Sequence, residues 1–177
     1  MPHLEQGLVQ VYTGNSKGKT TAAFGLALRA VGHGFKVFII QFMKGRGDYG
    51  EIAGLKRLLP ECRLENYGAP GWVKKGQASP EDVGEARRAW ERAKTIIRSG
   101  EWDIVILDEV INAIWFELLP EEEVLDFLKE KPEQVELVLT GRNASEILQS
   151  RADLVTDMRQ VKHPYEQGIR ARKGIEF

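Results

Sequence analysis

Two polar clusters in the chain have residue types and a spacing that could bind a nucleotide. The first is residues 13–21, Thr-Gly-Asn-Ser-Lys-Gly-Lys-Thr-Thr, between an apolar run and an Ala/Leu-rich helical pattern. Gly18 lets the backbone approach an anion, Lys19 supplies a charge for phosphates, and the Thr20 hydroxyl suits Mg²⁺. Gly14 stands one place later than the first glycine of a standard phosphate-binding loop. A glycine-rich turn that merely precedes a helix is the alternative.

The second cluster is the acidic pair Asp108 and Glu109, which follows the apolar run at 104–107. An acid at the end of a buried strand helps to hold Mg²⁺ beside a phosphate-binding loop. Acids in this position can also simply make the edge of a sheet soluble. With the upstream loop, the pair favours a Mg²⁺–nucleoside triphosphate site at the carboxyl ends of the strands. These residues leave an ATPase, a kinase and another transferase open, and Glu109 could orient a water molecule.

Composition narrows the class of protein. The 177 residues suit one domain, 1–177, with 42% hydrophobic and 29% charged residues. A net charge of −1 gives no basic field for nucleic acid. A single cysteine, Cys62, excludes an internal disulfide and a cysteine-rich metal site. We find no membrane-spanning run and no secretory signal, so we expect a cytoplasmic protein that binds neither membrane nor nucleic acid.

Hydrophobic patterning predicts alternating strands and helices. A three- and four-residue repeat that includes Trp90 predicts a helix with Trp90 in the core. Residues 68–77 lack a period and carry Trp72, which makes them a candidate binding loop, and residues 44–50 are a basic loop. With the phosphate-binding loop, this predicts a three-layer α/β P-loop (RecA-like) domain with a mainly parallel central sheet. Strands are expected at 8–13, 36–43, 62–67, 103–109, 135–139 and 154–158, and short helices at 51–59, 110–117, 120–131 and 144–149.

An ordered set of motifs adds a family resemblance. The set includes Gln-Phe-Met-Lys-Gly and a tail with Val-Lys-His and Gly-Ile-Glu-Phe, which are its most specific members. Together the motifs resemble the ATP:corrinoid adenosyltransferases of the CobA/CobO/BtuR type, from about residue 7 to the last residue. The motifs lie at residues 13–25, 29–34, 41–45, 107–109, 139–142, 152–156, 161–163 and 174–177.

The resemblance implies a transfer at carbon. In this family a corrinoid reduced to Co(I) attacks C5′ of ATP and triphosphate leaves, as part of adenosylcobalamin biosynthesis or salvage. ATP, the corrinoid and Mg²⁺ are therefore expected, with Lys19, Thr20 and Glu109 as catalytic residues. Thr20 and Glu109 would hold Mg²⁺ with Asp108 as a less direct partner. Expected ATP contacts are Gly14, Asn15, Ser16, Lys17, Gly18, Lys19, Thr20, Thr21 and Arg142, although Arg142 could instead pair with an acid.

Corrinoid contacts are also carried over from the resemblance. They are Gln41, Lys44, Trp72 and His163. The family usually has Gly-Phe-x-Trp in the loop whose aromatics displace the lower cobalt ligand, whereas this chain has Gly-Trp-Val-Lys at 71–74. Trp72 could instead be an anchor packed on the sheet. His163 is expected to meet corrinoid amides or phosphate rather than cobalt, and a structural role is expected for His33.

The family further implies a homodimer and a reduced flavin or flavodoxin as electron donor. Ser16 stands where the family usually has glycine, so the loop must adopt a conformation that an L-residue tolerates. The chain also lacks the N-terminal helical extension of some members, so another segment should cover the nucleotide or the site stays more open. A P-loop ATPase or kinase, and a corrinoid-binding module without turnover, are the alternatives.

Overall fold

A six-stranded sheet forms the centre of the computed structural model, which describes residues 4–45, 50–58 and 60–176. All five strand pairings are parallel, in the order β3-β2-β4-β5-β1-β6. This confirms the predicted α/β class and parallel sheet. The strands are β1 (Val9–Thr13), β2 (Val37–Gln41), β3 (Cys62–Asn66), β4 (Ile104–Asp108), β5 (Glu136–Thr140) and β6 (Leu154–Asp157).

Each predicted helix is present, with ends that differ by a few residues from the sequence pattern. The predicted helix at 51–59 becomes a short α-helix followed by a 3₁₀ turn, Lys56–Leu58. Residues 46–49 of the predicted basic loop and residue 59 lie outside the described residues. The helices are α1 (Lys19–Gly32), α2 (Gly50–Leu55), α3 (Pro80–Ser99), α4 (Val110–Trp115), α5 (Glu121–Leu128) and α6 (Glu146–Arg151), and a second 3₁₀ turn covers Pro164–Gln167.

Apolar residues cover both faces of the sheet, which explains the near-continuous apolar runs of its central strands. On one face, three alanines of α1 pack against β2 and β4, and Cys62 of β3 lies in the same cluster. Burial raises the pKa of the Cys62 thiol to about 11, so it is not a reactive nucleophile. The other face is covered by α3, α4 and α5. Trp90 lies there, 1% exposed and edge-to-face with Phe127, so its predicted place in the core is confirmed.

Local signals set the ends of α3, the longest helix. Ser79 accepts a hydrogen bond from the Asp82 N–H, and the Asp82 carboxylate accepts one from the Ser79 N–H, forming a capping box. Gly100 ends the helix in a left-handed conformation. Both ends agree with the sequence pattern. The Glu85 side chain of α3 also accepts a hydrogen bond from the Gly68 N–H (3.4 Å), at the start of segment 68–77.

The parallel sheet brings distant polar residues to one edge. The phosphate-binding loop follows β1, Glu109 follows β4, and Arg142 follows β5. Strands β4, β5 and β1 are successive neighbours in the sheet and are parallel, so their carboxyl ends lie side by side at one edge. The candidate site lies at this edge.

Candidate active site

The loop between β1 and α1 requires glycine at two positions. Gly14 and Gly18 have φ values of +104° and +120°. A Cβ on Gly14 would also lie 2.4 Å from the Met158 carbonyl oxygen, so a larger residue would clash with the backbone after β6. Ser16 does not have a positive φ, and its N–H donates to the Met158 oxygen over 3.0 Å. The loop therefore accepts serine at this position without strain, as expected.

Lys19 closes the loop from the first turn of α1. Its Nζ donates to the carbonyl oxygens of Gly14 (2.8 Å) and Ser16 (2.6 Å), and the residue is buried. Burial, and then the positive charge of Arg142, lower the pKa of Lys19, while Glu109 and Asp108 oppose that shift. The ammonium group lies in a glycine-containing anion cradle at a helix N-terminus, where it can bind a phosphate oxygen.

Asp108 is the fully buried centre of a hydrogen-bond network that joins α1 to four strands, β2, β3, β4 and β5. Its Oδ1 accepts from the hydroxyls of Thr20 (2.9 Å) and Thr140 (2.7 Å). Its Oδ2 accepts from Nε2 of Gln41 (2.9 Å), whose own Oε1 accepts from Asn66 (2.7 Å). Gln41 is also fully buried. Gln41, which the family resemblance predicts as a corrinoid contact, instead lies inside the protein with both ends of its amide hydrogen-bonded there.

Glu109 follows Asp108 in a left-handed conformation, with φ of +64°. Such a backbone is unfavourable for a residue with a Cβ and is commonly retained at functional sites. Its N–H donates to Thr140 Oγ1 (3.0 Å), and its carboxylate accepts a hydrogen bond from the Asn112 side chain. Burial first, and then the charge of Asp108, raise the pKa of Glu109, whereas Lys44, Lys19 and Arg142 lower it.

The donor set fits Mg²⁺. The Thr20 hydroxyl and the carboxylates of Asp108 and Glu109 are hard oxygen ligands, and a cation would relieve the repulsion between the two acids. Proteins hold nucleotide-bound Mg²⁺ with one or two such ligands and let phosphate oxygens complete the shell. Within the described ranges, no group of three or more His, Cys, Asp or Glu side chains could hold a metal ion.

Three clefts meet around these residues. The loop cleft, about 610 Å³, lies over residues 16–21 and is also lined by residues 174–176. The tryptophan cleft, about 740 Å³, lies between the 68–73 segment and α4. The tail groove, about 460 Å³, is lined by Asn15, Lys17, Arg142, Gln160, His163, Tyr165 and Glu176. The loop cleft and the tryptophan cleft share a wall formed by Lys44, Glu109, Asn112, Arg142 and Glu176.

The predicted corrinoid contacts separate in the structure. Lys44 is in the shared wall, and Trp72 borders the tryptophan cleft with 94% of its surface exposed. The alternative that Trp72 anchors its loop on the sheet is wrong, because its side chain is almost fully exposed. Val73 packs against the core instead. His163 lines the tail groove and accepts the Tyr165 N–H through Nδ1 (3.2 Å). His33 is exposed at the end of α1 opposite Lys19.

Arg142 lines all three clefts. Its N–H donates to Asn112 Oδ1 over 2.6 Å, while its guanidinium forms no ion pair with a described acid. Asn112, Phe116 and Glu176 were missed as site residues in the sequence. The signal for Asn112 is that it is the one polar residue of α4, a helix that is otherwise apolar. Phe116 has no comparable signal, because only the fold brings it to a cleft. Glu176 belongs to the Gly-Ile-Glu-Phe motif at 174–177, but the motif does not show that its side chain reaches the clefts.

A parallel α/β sheet with a glycine-containing loop before α1, a buried lysine and acids after β4 defines a P-loop protein. Comparison with known proteins identifies its family. The profile of the ATP:corrinoid adenosyltransferases BtuR/CobO/CobP matches residues 5–177, and the chain belongs to this family of transferases. Among the described residues, no helix has the length and apolar character needed to cross a membrane.

Named relatives agree with this assignment over almost the whole chain. A corrinoid adenosyltransferase of Sinorhizobium sp is 42% identical over 175 residues, covering 98% of this chain and 81% of the relative. The corrinoid adenosyltransferase of Escherichia coli (strain K12) is 40% identical, covering 98% and 87%. Corrinoid adenosyltransferase CobA of Salmonella typhimurium is 37% identical, with the same coverage. The family uses ATP and a corrinoid, and its activity leads to adenosylcobalamin.

Proposed function

We propose that the chain transfers the 5′-deoxyadenosyl group of ATP to the Co(I) centre of a corrinoid. The electron pair of Co(I) forms the bond to C5′, the C5′–O bond breaks, and its electrons leave with inorganic triphosphate. The observation that carries the proposal is the wall shared by the loop cleft and the tryptophan cleft. A triphosphate in one cleft and a corrinoid in the other would place the reacting atoms at that wall.

The nucleotide half of the proposal uses the loop cleft. Residues 14–21 would surround the triphosphate, with Lys19 and Arg142 supplying positive charge to the leaving oxygens. Thr20 and Glu109 would hold Mg²⁺, and Asp108 would orient Thr20 through the hydrogen bond between them. When bound, Mg²⁺ neutralises part of the charge on the triphosphate. No side chain needs to act as a base, because Co(I) is itself the nucleophile.

The corrinoid half uses the tryptophan cleft, whose walls combine apolar residues with both basic and acidic ones. Trp72, Phe116 and Leu118 offer an apolar surface to one face of the planar macrocycle, while Lys44 can donate to its amide side chains. Trp72 would exclude the lower ligand of cobalt, which favours reduction to Co(I). His163, in the neighbouring tail groove, would meet a polar edge of the corrinoid. A reduced flavin or flavodoxin as electron donor, and a homodimer, complete the proposal.

An anaerobic assay tests it. Mg²⁺-ATP and chemically reduced cobalamin are mixed with the protein, and the visible spectrum and phosphate products are followed. The proposal expects a new Co–C chromophore together with triphosphate, and loss of both in Lys19→Met. ADP and phosphate formed without corrinoid would instead identify an ATPase or kinase. Binding of both ligands without any product would identify a corrinoid-binding module, and either result overturns the proposal.

A further inference from the structure

The C-terminal segment 172–176, here named the tail clasp, is bonded to the phosphate-binding loop. Nζ of Lys17 donates to the Ile175 carbonyl oxygen over 2.7 Å and lies 3.6 Å from the Glu176 carboxylate. Gly174, Ile175 and Glu176 line the loop cleft. The clasp therefore occupies one side of the space in which the triphosphate is proposed to lie, and it engages one of that loop's lysines.

Internal bonds give the tail clasp a defined shape. The Arg172 N–H donates to Glu176 Oε2 (2.7 Å), and the Arg172 guanidinium donates to Oε1 (3.0 Å). The N–H groups of Ile175 and Glu176 both donate to the Arg172 carbonyl oxygen. Hydrogen bonds from the Arg172 side chain and backbone lower the pKa of Glu176 to about 2. Glu176 is thus negatively charged at neutral pH.

A bound triphosphate would conflict with this arrangement. Lys17 lines both the loop cleft and the tail groove, and Glu176 lines these two and the tryptophan cleft. A fixed carboxylate beside a polyanion site repels the ligand and competes for the same cation. The loop would bind triphosphate most tightly with Lys17 turned to the ligand and with Glu176 withdrawn.

We propose that Glu176 is an internal anion that competes with the triphosphate for Lys17, so that the tail clasp opens when triphosphate binds and closes when it leaves. This inference rests on the proposed function, because it assigns the triphosphate to the loop cleft. Glu176 is then a positioning residue that sets the affinity of the site for the leaving group. By weakening the hold on inorganic triphosphate, it favours release of that product after the transfer.

The test compares Glu176→Gln with Glu166→Gln. Glu166 lies in the same C-terminal region, is exposed and lines none of the three clefts, so its substitution makes an equal change in net charge. Inorganic triphosphate with Mg²⁺ is the probe, and binding is measured by calorimetry. Glu176→Gln should bind it roughly three- to tenfold more tightly than the wild type. That gain should shrink with added salt and disappear in a Lys17→Met background.

Unchanged or weaker binding in Glu176→Gln, or an equal gain in Glu166→Gln, would overturn the inference. Hydrogen exchange gives a readout that does not depend on activity. In the wild type, triphosphate should speed exchange of the amides of Arg172, Ile175 and Glu176, which are bonded within the clasp. Slower exchange would mean that the clasp closes over the ligand, and would also overturn it.

The two proposals fail in different ways. If triphosphate binds to the wild type and not to Lys19→Met, but the clasp and Glu176→Gln do not respond, only the inference about the clasp fails. If the clasp responds and no adenosyl transfer to reduced cobalamin occurs, the proposed reaction fails while the anion competition stands. If triphosphate does not bind to the wild type, both proposals are overturned.

Discussion

The loop cleft and the tryptophan cleft are built in opposite ways. In the loop cleft, Lys19 and Thr20 are held by hydrogen bonds to backbone oxygens and to the buried Asp108. In the tryptophan cleft, Trp72 stands almost fully exposed on an irregular segment. That segment is held at its ends: the Lys44 N–H donates to the Tyr67 oxygen (2.8 Å), and Lys75 Nζ lies 3.4 Å from the ring centroid of Trp115.

This difference separates two tasks. A leaving triphosphate gains most from charges that are already in place, because reorganising them during the reaction would cost free energy. In the proposed reaction the corrinoid is large and its cobalt changes coordination before the transfer, which favours a surface that can move against it. We therefore expect substitutions around the loop cleft to affect chemistry and stability together. Substitutions in the tryptophan cleft outside the shared wall should affect corrinoid binding alone.

The largest effect is expected from Lys19→Met. The substitution removes a buried positive charge aimed at the proposed phosphate site, and such a loss typically lowers turnover by about 100-fold or more. The measurement is adenosyl transfer to reduced cobalamin, with ATP binding followed by calorimetry. Lys129→Met is the matched control, because Lys129 is exposed and paired with Asp126 on the protein surface. Activity within a few-fold of the wild type in Lys19→Met would contradict the inference that charges held in place in the loop cleft stabilise the leaving triphosphate.

A pair of substitutions at the two ends of β4 should separate stability from function. Asp108→Asn leaves at least one of the three donors around this side chain without its acceptor, at a cost of about 1–3 kcal/mol in the free energy of unfolding. Asp103→Asn weakens the bond that Asp103 accepts from the Lys36 N–H (2.7 Å) at the opposite edge of the sheet.

The two variants should therefore behave alike in urea unfolding and differently in ATP binding. Both should lose stability, whereas only Asp108→Asn should lose ATP affinity, because Asp108 orients Thr20. Equal losses of ATP affinity would mean that any damage to β4 reaches the loop cleft, and that the network around Asp108 has no special role.

The contrast between the loop cleft, which is built on regular elements, and the tryptophan cleft, which includes an irregular segment, explains what could be predicted from the sequence. Residues 14–21, Asp108 and Glu109 could be predicted to lie together because the carboxyl ends of parallel strands meet at one edge of the sheet, and because few residue types bind phosphate. Strand and helix positions followed from apolar runs and from the Ser79 and Gly100 signals at the ends of α3. Element ends shifted by a few residues, since the sequence pattern does not reveal where the backbone hydrogen bonds stop.

The positions of other residues could not be predicted from the sequence, for a physical reason. The family resemblance predicts Gln41 as a corrinoid contact, but the fold buries it between Asp108 and Asn66. Phe116 and Glu176 reach the clefts only through tertiary packing of α4 and of the C-terminal segment. Irregular segments carry no period, so their side-chain directions depend on long-range contacts that a sequence pattern does not contain.

An intermediate effect is expected when Trp72 is compared with Trp90. Trp72→Ala should leave the free energy of unfolding within about 0.5 kcal/mol of the wild type, because the side chain is exposed. It should raise KM for the corrinoid roughly three- to tenfold through loss of an aromatic contact, with KM for ATP unchanged. Trp90→Ala should instead cost about 3–5 kcal/mol of stability. A parallel rise in KM for ATP in Trp72→Ala would show that the two clefts are not independent.

The smallest effect is expected at the start of the 68–77 segment. On β3, Glu65 accepts from the Arg92 guanidinium and from the Tyr67 hydroxyl (2.8 Å). Burial alone would raise the pKa of Glu65, but the hydrogen bonds from Arg92 and Tyr67 outweigh it and lower the pKa below 4.5. Because the folded pKa is the lower one, the stabilisation is present above the unfolded value and is lost as pH falls through the folded value.

Glu65→Gln should therefore cost about 0.5–1 kcal/mol at neutral pH, the range of a partly exposed ion pair. The difference from the wild type should shrink as the pH falls below 4.5. Urea unfolding at neutral and acid pH measures it, and Glu130→Gln, whose pair with Arg98 is more than half exposed, is the control. A difference that persists in acid would mean that shape rather than charge holds Tyr67, and that the start of the segment is as rigid as the phosphate-binding loop.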